Sequence, residues 1–279
     1  MNREKFDLRV LIRGSNDVAS AVAHRLFEAG YAVVVHDDPK PTVTRRRMAF
    51  TDAIFDGETT LEGVTAKRVE SITLRARLLA PTYIPIVVSD FYRLIEKLRP
   101  QVLVDARMRK HKKPPRQFHF APLVIGLGPN FVVGTNVHIA IETARGEELG
   151  RVITKGKTRD LEGEPISFEG HARDRYVYAP LTGKFSTRFQ VGDIITAGQV
   201  IAAINETQLT APISGVLRGI THDNVPVEQH TKVIEIDPRG EQAQISGIGE
   251  RPARIAEGVL TAIQNWERDV DANVVSEAK

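Results

Sequence analysis

Apolar and polar positions in the N-terminal third follow two periods. Leu8–Arg13 (LRVLIR) is an apolar run of strand length, followed by the turn GSNDVA. Val18, Ala19, Val22, Ala23, Leu26 and Phe27 then recur at helical spacing up to Gly30, and Ala32–Val35 is a second strand-length run ending in His36-Asp37-Asp38. Strand, glycine turn, amphipathic helix, glycine stop and strand is the order of a parallel pair joined by a right-handed crossover, the first half of a Rossmann-like unit. Ile84–Val88 and Val102–Val104 predict buried strands around a helix, Phe91–Leu98, that Pro100 ends. Ala121–Leu127 and Val137–Ile141 predict two more. The final helix, Ala253–Trp266, carries Ile255, Ala256, Val259, Leu260, Ile263 and Trp266 on one face, to dock on the sheet or on a partner, and the tail after Asp269 is expected to fray.

Between these parts the chain repeats itself. Ala179-Pro180 and Gly183 recur as Ala211-Pro212 and Gly215 at an offset of 32, which also places Gly192 over Asn224, Ile195 over Val227, Ile201 over Val233 and Ile204 over Ile236. Two such copies can bury each other's apolar faces where one could not. The phrases YAPLTGKF, VGDIITAGQVIAAI and LTAPISGVL make residues 175–238 resemble the biotinyl/lipoyl barrel-sandwich hybrid family. Its carriers need a lysine at the hairpin tip between the copies. Here the tip is Asn205-Glu206-Thr207-Gln208, so covalent biotin or lipoate is excluded. The expected fold is α/β: a Rossmann-like domain over 1–158, a biotinyl/lipoyl-like β module over 159–240, and the C-terminal helix over 241–279.

Composition narrows the function classes. The chain of 279 residues has no cysteine, which excludes disulfides, thiolate catalysis, Fe–S clusters and cysteine-ligated zinc. The eight histidines show no metal-site spacing, and no GxSxG or Walker A run is present, so no metal site is expected. A net charge of +3 is low for a nucleic-acid binder. No apolar segment is long enough to span a bilayer, MNREKFD lacks a secretory apolar run, and a cytoplasmic protein is expected. The basic residues cluster, however, at Arg45-Arg46-Arg47 and around Arg107, Arg109, Lys110 and His111. Such clusters suit a small anionic ligand or an acidic partner.

In a strand–turn–helix unit, backbone N–H groups at the helix start cradle phosphate and a carboxylate after the second strand takes a ribose hydroxyl. Gly14 fills the first position, Asn16 stands at the second, Asp17 opens the helix and Asp37 follows 23 residues after Gly14. Arg45 and Arg46 are expected at the same sheet edge, where Arg46→Ala should weaken ligand binding without unfolding the chain. Asp105, Arg107 and Arg109 follow a strand end, either holding a ligand or pairing locally as a cap. Gly126, Gly128, Asn130 and Gly134 form a ligand-facing loop or a bend. Hydride transfer would need a proton donor, for which His111 and Lys110 are the candidates.

The phrases LIRGSNDVASAVAHRLFEAGY, PTVTRRRMAF, FDGETTLEGV, VLVDARMRK, PLVIGLGPNFVVGTNVHIAIETARGEELGRVI and IAEGVLTAI together resemble the YqeB family. That resemblance implies an accessory or maturation factor of the selenium-dependent molybdenum hydroxylase system. Gly14, Asp17, Pro41, Arg45, Arg46, Asp105, Arg107, Gly128, Pro129, Glu142 and Arg145 fall on its recurrent positions, while Asn16 and Asn130 stand where glycine is usual. Gly14, Asp37, the arginines at 45–47 and the Asp105–Arg109 strand end, expected at one sheet edge, point to a nucleotide-like, phosphate-bearing ligand such as a molybdopterin dinucleotide, and the resemblance implies the hydroxylase or another maturation factor as partner. A nicotinamide-dependent oxidoreductase, a non-enzymatic scaffold and self-association are the alternatives left open.

Overall fold

The computed structural model describes residues 8–70, 81–109, 112–161 and 166–277; Lys110 and His111 lie outside these. The larger sheet has nine strands: β1 (Arg9–Arg13), β2 (Ala32–His36), β3 (Glu58–Leu61), β4 (Val64–Arg68), β5 (Ile84–Val87), β6 (Val102–Asp105), β7 (Leu123–Leu127), β8 (Ile139–Ile141) and β9 (Val152–Ile153). Their order is β3-β4-β5-β2-β1-β6-β7-β8-β9. Strands β4 to β8 of that order run parallel, and β3 and β9 are antiparallel at the two edges. Burial on both faces explains why β1, β2, β5, β6 and β7 read as unbroken apolar runs.

Among the described residues, helices α1 (Asp17–Glu28), α2 (Ala53–Asp56), α3 (Phe91–Leu98) and α4 (Glu250–Glu277) accompany the sheet. On one face Val10, Ile12, Val33 and Val35 pack with Val18, Val22 and Leu26 of α1 and with Ile255, Val259 and Ile263 of α4. On the other, Leu11, Val34, Leu103 and Val124 pack with Phe91, Leu94 and Leu98 of α3. Helix α4 is longer than its apolar stripe predicts. Pro252 is tolerated in the first turn, where its missing N–H has no helical acceptor. The segment after Trp266 contains neither glycine nor proline, and the helix continues past Asp269 instead of fraying there.

The duplicated segment forms β10 (Tyr176–Tyr178), β11 (Gly183–Ser186), β12 (Ile194–Ile195), β13 (Val200–Ile204), β14 (Thr207–Thr210), β15 (Gly215–Ile220), β16 (Pro226–Val227) and β17 (Lys232–Asp237). They make two four-stranded sheets, β10-β17-β15-β12 and β14-β13-β11-β16. The offset of 32 relates the starts of β11 and β15, β12 and β16, and β13 and β17, so each sheet takes strands from both copies. Phe185, Ile201 and Ile204 of the first copy share one core with Leu217, Val233 and Ile236 of the second. Backbone conformation repeats even where residue type does not. Gly192 and Asn224 both take positive φ (102° and 64°), as do Gly198 and His230 (81° and 67°).

Candidate functional site

The segment between β2 and α2 ties the large sheet to the two smaller ones. Ile220 N–H of β15 donates to Thr44 O at 2.9 Å, and a Cβ at Gly219 would stand 3.0 Å from that oxygen, so β15 needs a glycine for the approach. The following arginines all reach across. Arg46 is buried; it donates to Ile220 O (3.0 Å), Gln190 Oε1 (2.9 Å) and Asp52 Oδ1 (3.1 Å). Arg47 donates to Val191 O at 3.2 Å.

Arg45 is the centre of a larger array. Its Nε and Nη2 donate to Glu235 Oε2 and Oε1, both at 3.0 Å, while Nη1 donates to Asp17 Oδ2 at 3.0 Å. The start of α1 is thereby linked to β17. Glu235 is fully buried and also accepts from Arg175 Nη1 (3.0 Å), Arg218 Nη1 (2.7 Å) and Lys232 Nζ (2.9 Å). Burial by itself would raise the Glu235 carboxyl, but Lys232, Arg45 and Arg218 hold it well below the carboxylate range. Asp17 is lowered the same way, with Arg45 overcoming its burial.

Cations outnumber carboxylates at this seam. Arg145 follows β8 and Arg251 opens α4. Partial desolvation and then the neighbouring Arg45 lower the Arg145 guanidinium, while Arg251 is lowered by burial and by Arg145 and Arg45, partly offset by Asp17. Arg251 donates to Thr143 O from Nε (3.1 Å) and Nη2 (2.9 Å), and Arg145, which is exposed, makes no hydrogen bond or ion pair with another described residue. Arg239 pairs with Asp237 at 2.7 Å on the edge of the array. Glu142 is nearby but its oxygens accept from the backbone of Thr143, Ala144 and Arg159. Among the described residues, the cations Arg45, Arg145, Arg175, Arg218, Lys232, Arg239 and Arg251 exceed the carboxylates Asp17, Glu142, Glu169, Glu235, Asp237 and Glu250. Chemically, such a seam can hold an anion through rigid guanidinium forks.

The turn expected to cradle phosphate is occupied by its own side chains. Gly14 has φ 109°, and a Cβ there would lie 3.1 Å from Ala106 O. Asn16 has φ −68° and uses its amide as the N-cap, accepting from Val18 and Ala19 N–H and donating to Ala106 O at 2.8 Å. That double role explains asparagine at this position without any need for a left-handed backbone. Asp37 accepts from Ser15 N–H (2.7 Å) and Ser15 Oγ (2.6 Å), and burial raises its carboxyl.

Beyond β6, Arg107 grips Asp105 through Nε (2.8 Å) and Nη2 (2.6 Å), and Gln117 donates to the same carboxylate at 2.9 Å. Of the two sequence readings, the local pair is the geometry present. Arg109 is exposed, 4.0 Å from Asp38. Gly128 (φ 106°) packs near Met108 and Thr143, and Asn130 (φ 73°) opens a bend whose carbonyl accepts from Asn136 Nδ2 at 3.3 Å. Of the residues singled out in the sequence, Asp17, Arg45, Glu142 and Arg145 come together at the cationic seam. Glu235, Arg218, Lys232, Arg175 and Arg251 were not singled out as candidates in the sequence. The available signal was a charge inside an apolar run, VLRGI and VIEID, with opposite signs on two strands that the repeat could pair.

Among the described residues no cluster of three or more histidine, aspartate or glutamate side chains is placed to hold a metal ion, and no helix is long and apolar enough to cross a membrane. No protein-family profile matches the chain. Similarities to solved structures have low TM-scores. An aspartoacylase family protein from Mesorhizobium loti is 12% identical over 82% of this chain and 84% of that one, with a TM-score of 0.26. A succinylglutamate desuccinylase/aspartoacylase from Rhodobacter sphaeroides is 15% identical over 49% and 58%, with a TM-score of 0.22. In sequence, the uncharacterized protein YqeB of Escherichia coli (strain K12) is 39% identical over 254 residues, 91% of this chain. The chain spans about half, 47%, of that relative's length. Over that matched half, the chain belongs to the YqeB family.

Proposed function

We propose that this chain is an accessory factor that handles a phosphate-bearing, nucleotide-like ligand for a molybdenum hydroxylase, the molybdopterin dinucleotide being the ligand of first choice. The observation that carries the reading is Arg145, exposed and unpaired among the described residues beside Arg45 and Arg218, at a seam whose charge balance is already positive. An anion there would gain guanidinium donors that the protein does not spend on itself. The strand order β5-β2-β1-β6-β7-β8 supports a Rossmann-like reading of the large sheet, and the exchange of strands between copies supports a barrel-sandwich reading of the smaller ones. On this reading residues 1–158 and 159–240 are two units that share the ligand across their seam, and the helix of 241–279 closes it through Arg251. The anion site is accordingly displaced from the Gly14 turn toward the arginines.

Isothermal titration against NAD, NADP, CTP, ATP, pyrophosphate and molybdopterin cytosine dinucleotide tests it. Binding of pyrophosphate and of a cytosine-containing ligand, weakened by roughly tenfold in Arg145→Ala, is the expected result. Silence across the panel, or unchanged affinity in that variant, would overturn the assignment of the seam.

A further inference from the structure

A second polar cluster lies at the C-terminal end of the large sheet, on the α3 face. Pairing register sets His36, Arg13 and Asp105 side by side on β2, β1 and β6. Strand alternation places all three on the side of Leu11, Val34 and Leu103. The Arg13 guanidinium lies 3.7 Å from the centre of the Phe91 ring, and Nη1 reaches Gln117 Oε1 at a long 3.4 Å. Ser89, just before α3, is held through its carbonyl by His36 Nε2 at 2.8 Å. Among the described residues Arg13 Nε and Ser89 Oγ are buried and have no hydrogen-bond partner. Buried donors in folded proteins are nearly always paired, so two unpaired ones in one cluster mark a place that another molecule completes.

The surroundings specify what kind of molecule. Tyr92 is 63% exposed, with its ring 5.6 Å from Phe91 and 5.8 Å from Phe120, and His119 packs on Phe120 at 4.0 Å. That is an open aromatic surface beside two buried donors. Among the described residues, Arg13, Arg107 and Arg109 face Asp37, Asp38 and Asp105, so this cluster, unlike the arginine seam, carries as many carboxylates as cations. Topology agrees. Helix α1 follows β1 on one face and α3 precedes β6 on the other, and open parallel sheets bind ligands where the crossover side reverses. The α1 side of that crevice is closed by Asn16 on Ala106 O, which leaves the α3 side.

We propose that Arg13, Ser89 and Tyr92 form a second site that takes a planar, uncharged heteroaromatic base. A carbonyl or ring-nitrogen acceptor of the base receives Arg13 Nε–H and the Ser89 hydroxyl, and its face stacks on Tyr92. The site extends the nucleotide reading, yet uncharged probes let either one fail alone. Saturation-transfer NMR of the full chain with cytidine, uridine, adenosine and guanosine should show at least one bound. Tyr92→Ala, at an exposed position, should weaken it by roughly tenfold, as loss of one stacked base contact does. Ser89→Ala removes a hydroxyl with no internal partner, so it should weaken binding by roughly fivefold while leaving Tm unchanged or higher. Arg145→Ala should leave nucleoside binding as it was. No nucleoside bound by the natural chain, or full affinity in both the Tyr92 and Ser89 variants, would overturn the proposal; the unpaired atoms would then be completed by water.

Discussion

At the residue scale, the three consecutive arginines show how position decides the role of one side-chain type. Arg46 is a buried bolt whose donors go to Ile220 O, Gln190 and Asp52, so removing it strands a carboxylate and a carbonyl. Arg46→Ala is expected to cost about 2–3 kcal/mol of unfolding free energy in urea titration, contrary to the sequence expectation of a binding defect in an intact fold. Unchanged stability would mean that the seam relaxes around the gap. Glu235 makes a prediction in pH. Its folded pKa lies well below the ordinary 4.5, so it contributes stability that is complete above 4.5 and lost as pH falls through the folded value. The stability difference between the natural chain and Glu235→Gln should therefore be constant from neutral pH to about pH 5.5 and shrink below 4.5. A gap that persists unchanged to pH 3 would contradict the ion cluster. At Glu235 itself the sequence shows only a charge inside an apolar run, KVIEID; that it is buried follows from the partners the fold brings to it, Arg45, Arg175, Arg218 and Lys232.

At the scale of elements, legibility followed burial. Strands covered on both faces, such as AVVVH and LVIGL, announce themselves as unbroken apolar runs. The edge hairpin β3–β4 (ETTL, VTAKR) does not, because half of each strand faces solvent and its turn, Glu62-Gly63, looks like any polar loop. The repeat was legible because its glycines and apolar positions hold register, though the exchange of strands between sheets is set by packing that no spacing records. Helix α1 tests a local device. Asn16 both caps the helix and ties it to Ala106 O, so Asn16→Ala should lose about 1–2 kcal/mol in chemical denaturation. Asn16→Asp keeps the cap and loses the Nδ2–H donor, and it should recover most of the difference if capping is the larger share. No recovery would place the weight on the Ala106 contact.

At the scale of the whole molecule, the large sheet and the duplicated sheets are joined through the 44–47 segment, an ion cluster, the stacking of Phe55 on His222 at 3.9 Å and the hydrogen bond from Lys40 to Asn224 O. The buried core residues fall into distinct clusters, with Val10 to Ile263 on one side of the seam and Phe185 to Ile236 on the other, and Phe55 packs against both. Across it, Arg45 is the residue that ties both: Asp17 belongs to α1, Glu235 to β17. Glu235 keeps Arg175, Arg218 and Lys232 when Arg45 is removed, so its charge stays compensated and the smaller sheets have no reason to unfold outright. The expected consequence of Arg45→Met is loss of coupling. In hydrogen-exchange mass spectrometry, amides of β15 and β17 should exchange faster in the variant, while those of β1, β2 and β6 should keep their protection. Equal acceleration on both sides would show that the seam and the cores open as one unit. An unchanged pattern would shift the coupling to Arg46 and the Thr44–Ile220 hydrogen bond, which cross the same seam without charge compensation from β17.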